Sequence, residues 1–198
     1  MSTKDNDDQS FAARLSQLGL KDKIALLSGN TFNTTPGIPH LNIPQIKAVD
    51  SINGVRPSGL DGGTTACFPS TTCLASTWDA KLLGRMGGQL AHQARLKSAQ
   101  VVLGPTTNIH RDPRAGRNFE CFSEDPLLSG QLAGAIVNGI QREGVGACAK
   151  HFVCNDSETM RHFYNVNEDP NGRTLREIYM AAWQHMLRVS DPVAIMTA

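Results

Sequence analysis

The chain has 198 residues, of which 40% are hydrophobic and 19% are charged, and its formal net charge is +1. This composition is typical of a globular domain with enough apolar side chains to form a core. Its lysines and arginines form no run, which argues against nucleic acid as a partner. No uninterrupted apolar stretch approaches the length of a membrane span, which argues against a membrane protein.

Residues 1–10 are polar and lack the apolar segment of a secretory signal. We therefore expect these residues to be disordered and the protein to be cytoplasmic. Secretion is the alternative if the true amino terminus lies elsewhere. The five cysteines are an odd number. The spacings Cys67–Cys73 and Cys148–Cys154 are too wide for the Cys-x-x-Cys pairs of zinc sites. Several of these cysteines lie in apolar runs, where a free thiol behaves as a small hydrophobic group, so a reducing compartment is the simplest explanation.

Hydrophobic spacing and breaker residues divide the chain into alternating helices and strands. Apolar residues at helical spacing predict helices, and short apolar runs that end at Gly, Pro or a charged residue predict strands. Asp79 and Asp125-Pro126 stand where two of the helices should begin. The predicted helices cover residues 11–27, 80–96, 126–142 and 174–189. The predicted strands cover residues 45–49, 100–103, 145–149 and 192–198.

This order of elements predicts an α/β fold with a parallel sheet and right-handed crossovers. No linker follows the amino terminus, so residues 11–198 are expected to form one domain. A sheet that stopped at the fourth strand would have an open apolar edge, and a closed eight-stranded barrel typically needs about 250 residues. We therefore expect the amino-terminal part of a longer protein, a partial (β/α)8 TIM-like barrel with about the first four strands and their helices.

Charged side chains gather where the predicted strands end, which is where parallel α/β proteins bind ligands. Asp50 follows the first strand, a long polar loop over residues 106–124 follows the second, and Lys150-His151 directly follow the third. A loop this long inside a compact domain is usually functional. Carboxylate, guanidinium, ammonium and imidazole groups together suit a polyhydroxylated ligand, because charged groups form the stronger hydrogen bonds.

Purely structural alternatives stand beside this interpretation. Asp50 next to Asn53-Gly54 is equally well explained as a turn carboxylate, and Lys150-His151 as a solvated lysine and a core histidine. A phosphate site is the competing function, but no Gly-x-x-x-x-Gly-Lys-Ser/Thr motif occurs. The six histidines form no His-x-x-x-His pair, so no metal site is predicted.

Three sequence blocks resemble family 3 glycoside hydrolases of the β-glucosidase type. Residues 49–56, Val-Asp-Ser-Ile-Asn-Gly-Val-Arg, are similar to the family's Ser-Asp-Gly-Pro-Asn-Gly-Val-Arg block. Residues 103–126, which contain Gly-Arg-Asn-Phe-Glu and Phe-Ser-Glu-Asp-Pro, are similar to its second block, and residues 150–161 to its third. The resemblance covers about residues 20–198. The third block favours the glucosidase branch over the hexosaminidase branch, whose block reads Lys-His-Phe-Pro-Gly-His-Gly.

The resemblance implies a retaining hydrolase of terminal, non-reducing β-D-glucosyl residues that acts on β-glucosides or cello-oligosaccharides in polysaccharide degradation. It implies no metal and no organic cofactor. It also implies a subsite for the terminal glucose. The residues that would bind the sugar are Asp50, Arg117, Lys150, His151 and Arg161. The residues that would support them are Arg56 and Glu120.

Two departures from the family pattern stand out. Ser51-Ile52 replaces Gly-Pro, so the backbone after Asp50 should be less tightly set. The family's nucleophile is an Asp in a Ser-Asp-Trp motif on a later strand, and its acid/base lies in the following sandwich domain. Neither motif occurs in this sequence. Asp191, which precedes Pro192, is not that nucleophile. We therefore expect both catalytic carboxylates beyond Ala198 and no activity from the isolated chain. The alternative is a non-catalytic sugar-binding remnant or the inactive product of a truncated gene.

Overall fold

The computed structural model describes residues 11–51, 53–56, 63–163 and 172–198, so the disorder predicted for residues 1–10 and the backbone at Ile52 lie outside the described residues. The chain divides into two compact units, one up to Ala48 and one from Val49 onward. We describe each unit by itself.

The first unit contains two short helices where one long helix was predicted. Residues 11–17 (α1) and Leu20–Leu26 (α2) are helical. Gly19 is extended, with φ −68° and ψ 164°, and forms the N-cap of α2. The prediction of one continuous helix is therefore wrong, because the backbone leaves the helical region at Gly19. A 3₁₀ turn at Pro39–Leu41 and antiparallel bridges, Thr34 with Lys47 and Ile38 with Ile43, order the segment that follows α2.

The sheet has four strands in the order β1-β2-β3-β4, as expected for the first four strands of a β/α barrel. The pairs β2–β3 and β3–β4 are parallel. This arrangement confirms the predicted α/β class and partial barrel. The strands are Ala48–Asp50 (β1), Val101–Leu103 (β2), Gly146–Phe152 (β3) and Ala194–Thr197 (β4).

Strand β3 is longer than predicted. It pairs with β4 from Cys148 to Phe152, with a shift of register between Lys150 and Phe152. Lys150 and His151 therefore lie within the last part of the strand, and the expectation that they directly follow it is wrong. The hydrophobic pattern could not show this extension, because the strand continues through polar residues whose partners are distant in sequence.

The helices of the second unit lie on the sheet with their apolar faces. Asp79 accepts a hydrogen bond from the Leu82 amide at 2.9 Å and Asp125 from the Leu127 amide at 2.8 Å, which confirms both predicted caps. A π-helical turn at Leu175–Tyr179 precedes the last helix, where a single helix was predicted. The helices are Thr71–Ala75 (α3), Ala80–Leu96 (α4), Pro126–Arg142 (α5) and Met180–Val189 (α6). No described helix combines the length and the apolar content that crossing a membrane requires.

The core of the second unit lies between the sheet and the helices α4, α5 and α6. Buried strand residues contact buried residues of each helix, and the cluster is continuous. Its members include Val102, Ala147, Ala149, Leu83, Met86, Leu90, Leu132, Ile136, Ile140, Trp183 and Met186. This core holds the carboxyl ends of the strands at fixed positions.

Helices α4 and α5 approach each other at Gly87. A Cβ atom at Gly87 would lie 2.5 Å from the Ile136 carbonyl oxygen and 3.1 Å from the Gly139 Cα. We expect Gly87→Ala to lower the free energy of unfolding by about 1–3 kcal/mol, since the backbone of α5 must move. Gly84 in the same helix is the control, because its Cβ would lie 3.6 Å from the nearest atom, the Ala135 carbonyl oxygen. Urea denaturation should show Gly84→Ala to be neutral or stabilising, and equal losses in both variants would contradict this packing.

Candidate functional site

Asp50 and Lys150 form an ion pair between the ends of β1 and β3. The Lys150 Nζ lies 2.7 Å from the Asp50 Oδ1, and the lysine side chain is 4% exposed. The Lys150 amide donates to the Pro105 carbonyl at 2.9 Å, which ties β3 to the chain that follows β2. Arg56 lies further away, with its Nη1 4.0 Å from the Asp50 Oδ2, and it is mostly exposed. The buried ammonium is therefore paired, and Asp50, 33% exposed, keeps acceptor capacity for a ligand.

Arg117 and Glu120 form a two-bond ion pair at the 3₁₀ turn Asn118–Glu120. The Arg117 Nε lies 2.7 Å from Glu120 Oε1, and the Nη2 lies 2.9 Å from Oε2. The hydroxyl of Thr106 donates to the same Oε2 at 3.1 Å, and the Glu120 side chain is only 2% exposed. The hydrogen bond to Glu120 raises the pKa of Arg117. Glu120 therefore fixes the plane of the guanidinium group. Its supporting role in sugar binding stays a prediction.

His151 is buried and held by Asn108. The Asn108 Nδ2 lies 3.3 Å from the His151 Nδ1, and the Asn108 Oδ1 accepts from the His151 amide at 3.3 Å. Since Nδ2 is a donor, Nδ1 acts as the acceptor, and this network assigns the ring proton to Nε2. The Nε2 lies 3.5 Å from the Arg117 Nη1. Both atoms carry hydrogen, so both can donate to an acceptor on a ligand.

Burial, followed by the positive charges of Arg117, Lys150 and Arg161, lowers the pKa of His151 from 6.5 to about 3. The unfolded chain therefore binds a proton near pH 6.5 that the folded chain does not accept until near pH 3. Stability from this residue is present above pH 6.5 and is lost as the pH falls toward 3. Between pH 6.5 and pH 3, we expect the free energy of unfolding of the native chain to fall with decreasing pH more steeply than that of His151→Asn. The difference in slope should reach about 1.4 kcal/mol per pH unit. Urea denaturation across pH 3–7 measures the difference, and parallel curves would show that the imidazole is not held neutral.

Glu158 connects Arg161 to Arg117. The Glu158 Oε2 lies 3.2 Å from the Arg161 Nη1, and the Oε1 lies 3.4 Å from the Arg117 Nη1. Glu158 and Asn108 were not among the predicted site residues. Two features of the sequence could have identified them. Glu158 lies in the third block and Asn108 in the second, and Glu158 stands three residues before Arg161.

The structure brings all seven predicted site residues into one connected cluster at the carboxyl ends of β1, β2 and β3. Asp50 contacts Lys150, His151 follows Lys150, and Arg117 lies between His151 and Glu158, which contacts Arg161. Arg56 joins the cluster through its contact with Asp50, and Glu120 joins it through its ion pair with Arg117. The strand ends predicted this proximity for Asp50, Lys150 and His151, and only the family resemblance predicted it for Arg117 and Arg161. The roles of the residues in sugar binding stay predictions.

The five cysteines are free thiols. Burial raises the pKa of Cys148, and burial together with the charge of Glu120 raises the pKa of Cys121 to about 12. Neither is therefore an activated nucleophile at neutral pH. Among the described residues, no three His, Cys, Asp or Glu side chains form a group that could hold a metal ion.

The predicted cytoplasmic location stays a prediction.

The fold and the cluster define a β/α-barrel protein with a charged site at the carboxyl ends of its strands, which is where barrel enzymes bind their substrates. The model of the glycosyl hydrolase family 3 N-terminal domain matches residues 31–198. The chain therefore belongs to glycosyl hydrolase family 3, as the three sequence blocks predicted.

The relatives are β-glucosidases by name. The chain is 44% identical to β-glucosidase B of Emericella nidulans, over all of this chain and 23% of that protein. It matches the structure of the Kluyveromyces marxianus β-glucosidase in complex with glucose with a TM-score of 0.89 and 45% identity, over 93% of this chain and 22% of that one. The glucose complex of β-glucosidase 3B from Thermotoga neapolitana gives a TM-score of 0.86 at 36% identity, over 94% of this chain and 29% of that one. The chain thus spans about a quarter of the length of these relatives.

Proposed function

We propose that this chain supplies the glucose subsite of a β-glucosidase-type retaining hydrolase, which releases terminal, non-reducing β-D-glucosyl residues from β-glucosides or cello-oligosaccharides. The observation that carries the proposal is the connected cluster of Asp50, Lys150, His151, Arg117 and Arg161 at the strand ends. Two similar structures, those of the Kluyveromyces marxianus and Thermotoga neapolitana β-glucosidases, are complexes with glucose, which supports the same ligand class.

The hydrogen-bonding capacity of the cluster suits a sugar ring. Lys150 uses one of its three N–H groups on Asp50, and within the part of the chain that the structure describes, Asp50 Oδ2 has a long 4.0 Å contact with Arg56. Asp50 can therefore accept from two adjacent hydroxyls, while Lys150, His151 Nε2 and Arg117 donate to their oxygens. Each sugar hydroxyl both donates and accepts, so this mixture of groups binds a polyhydroxylated ligand better than it binds an anion.

We assign neither catalytic carboxylate to this chain. A retaining glycosidase needs a nucleophile and an acid/base on either side of the glycosidic bond, about 5–5.5 Å apart. The three carboxylates of the described cluster are each in contact with a cation: Asp50 with Lys150, Glu120 with Arg117, and Glu158 with Arg117 and Arg161. They are positioned to hold the donors of the subsite. We therefore expect the isolated chain to bind glucose without hydrolysing glucosides.

Two measurements, made on the 198-residue chain and on an extended form of it, test the proposal. Calorimetry with glucose should detect binding to the 198-residue chain, with galactose as the control sugar. A chromogenic β-glucoside should be hydrolysed by the chain extended through its downstream reading frame, and not by the chain alone. Strong turnover by the chain alone would contradict our assignment of the catalytic groups, and no glucose binding by either form would overturn the subsite.

A non-catalytic sugar-binding protein is the second candidate function. Each carboxylate of the described cluster is paired with a cation, which favours this candidate. A stop codon directly after Ala198, together with glucose binding and no turnover in any longer form, would support this candidate. A continuing frame that contains Ser-Asp-Trp would support the hydrolase.

A further inference from the structure

We infer that Glu158 is a positioning residue of the glucose subsite, and that its carboxylate sets the place of the Arg161 guanidinium beside Arg117. The inference rests on the function proposed above. The Glu158 Oε2 lies 3.2 Å from Arg161 Nη1, while its Oε1 lies 3.4 Å from Arg117 Nη1. Two like charges are thus held close together by one carboxylate between them, which lowers their mutual repulsion.

The segment that carries Glu158 is fixed by buried groups just before it. The Asn155 carbonyl accepts from the Asn108 Nδ2 at 2.7 Å. Asp156 accepts a hydrogen bond from the hydroxyl of Tyr179, and Arg111 donates to the same hydroxyl at 3.1 Å. Since Asn108 and Tyr179 are buried, these bonds hold residues 155 and 156 on the scaffold. Glu158 is therefore presented from a fixed backbone.

The Glu158 side chain also packs on the backbone of Gly116, the residue before Arg117. A Cβ atom at Gly116 would lie 3.1 Å from the Glu158 Cβ and 3.2 Å from its Cγ. Gly116 has φ +89°, a conformation that favours glycine. The close approach sets the distance between the Glu158 carboxylate and Arg117. Two separate segments of the chain, residues 155–156 and Gly116, therefore fix the position of Glu158.

The two arginines depend on Glu158 to different extents. Arg117 has five N–H groups, two of which are bound by Glu120 and one by Glu158, so two stay available for a ligand. Without Glu158, Arg117 is still held by Glu120. Arg161 is about half exposed, and the ion pair that the structure describes for it is with Glu158. We therefore expect loss of Glu158 to act mainly through Arg161.

The test is a comparison of Glu158→Ala and Glu158→Gln with the native chain, by calorimetry with glucose and the monodeoxyglucoses. We expect glucose to bind about tenfold more weakly to Glu158→Ala. The loss should vanish for the one deoxyglucose that lacks the hydroxyl bound by Arg161, which an Arg161→Ala variant identifies beforehand. Glu143→Ala removes an exposed carboxylate paired with Arg95 at 3.4 Å and is the control that should bind glucose unchanged.

Each outcome decides between the two levels of the proposal. Absence of glucose binding in both the native chain and its extended form overturns the proposed function and this inference with it. A native chain that binds glucose, together with an equally tight Glu158→Ala, overturns the inference and leaves the subsite intact. An equal loss for every sugar shows a structural role and also overturns it. Glu158→Gln, which keeps the size of the side chain, serves the same comparison if the alanine variant unfolds.

Discussion

Replacing Arg117 with methionine is expected to lower the free energy of unfolding by about 3–5 kcal/mol and to abolish glucose binding. The stability loss comes from Glu120, whose side chain is 2% exposed and would keep only the hydroxyl of Thr106 as a hydrogen-bond partner among the contacts described. A buried carboxylate without its cation is costly, because the protein cannot replace the water that the charge gives up. Urea denaturation measures the first effect and calorimetry with glucose the second.

The double variant Arg117→Met/Glu120→Leu separates stability from binding. Removing both charges should restore most of the stability, since apolar side chains of similar size often replace a buried ion pair without loss. Glucose binding should stay absent, because Arg117 is one of the proposed donors. Arg95→Met removes an exposed ion pair with Glu143 and should change stability by less than about 1 kcal/mol. Recovery of glucose binding in the double variant would show that Arg117 does not contact the sugar.

The elements that the sequence predicted well are those fixed by local signals. Helices α4 and α5 begin at the predicted caps, Asp79 and Asp125, because a cap needs only a side-chain oxygen next to free amides. The elements predicted poorly depend on contacts that are distant in sequence. Strand β3 continues through Lys150, where its backbone pairs with Met196 of β4 and its side chain contacts Asp50, 100 residues earlier. No window of sequence contains both partners.

The same distinction between local signals and distant contacts applies to the residues of the candidate site. Asp50, Lys150 and His151 stand where apolar runs end, so their place at the strand ends followed from pattern alone. Arg117 and Arg161 lie in loops, and only the family resemblance pointed to them. Glu158 was missed because its role depends on a contact with Arg117, 41 residues away. Asn108 was missed likewise, since its contact with His151 spans 43 residues.

Asp50→Asn is expected to weaken glucose binding by about a hundredfold or more, because the proposed acceptor of two sugar hydroxyls loses its charge and half of its acceptor capacity. The same change leaves the ammonium of Lys150 buried without a carboxylate, at 4% exposure, and should also lower the thermal midpoint. Calorimetry with glucose and thermal denaturation measure the two effects on one sample. Lys150→Met added to Asp50→Asn should recover stability by removing the second charge, and it should not recover binding.

Asp112→Asn provides the matched control for Asp50→Asn. Asp112 also pairs with an arginine, Arg114 at 2.8 Å, and the hydrogen bonds from Arg114 lower its pKa to about 2, but both side chains are exposed. An exposed pair in water contributes little to stability, and this one lies outside the cluster of contacts around Lys150. Glucose binding and the thermal midpoint should therefore stay near the native values. If Asp112→Asn weakened glucose binding as much as Asp50→Asn, the loss would reflect the charge of the whole molecule, and the assignment of Asp50 as the sugar acceptor would be wrong.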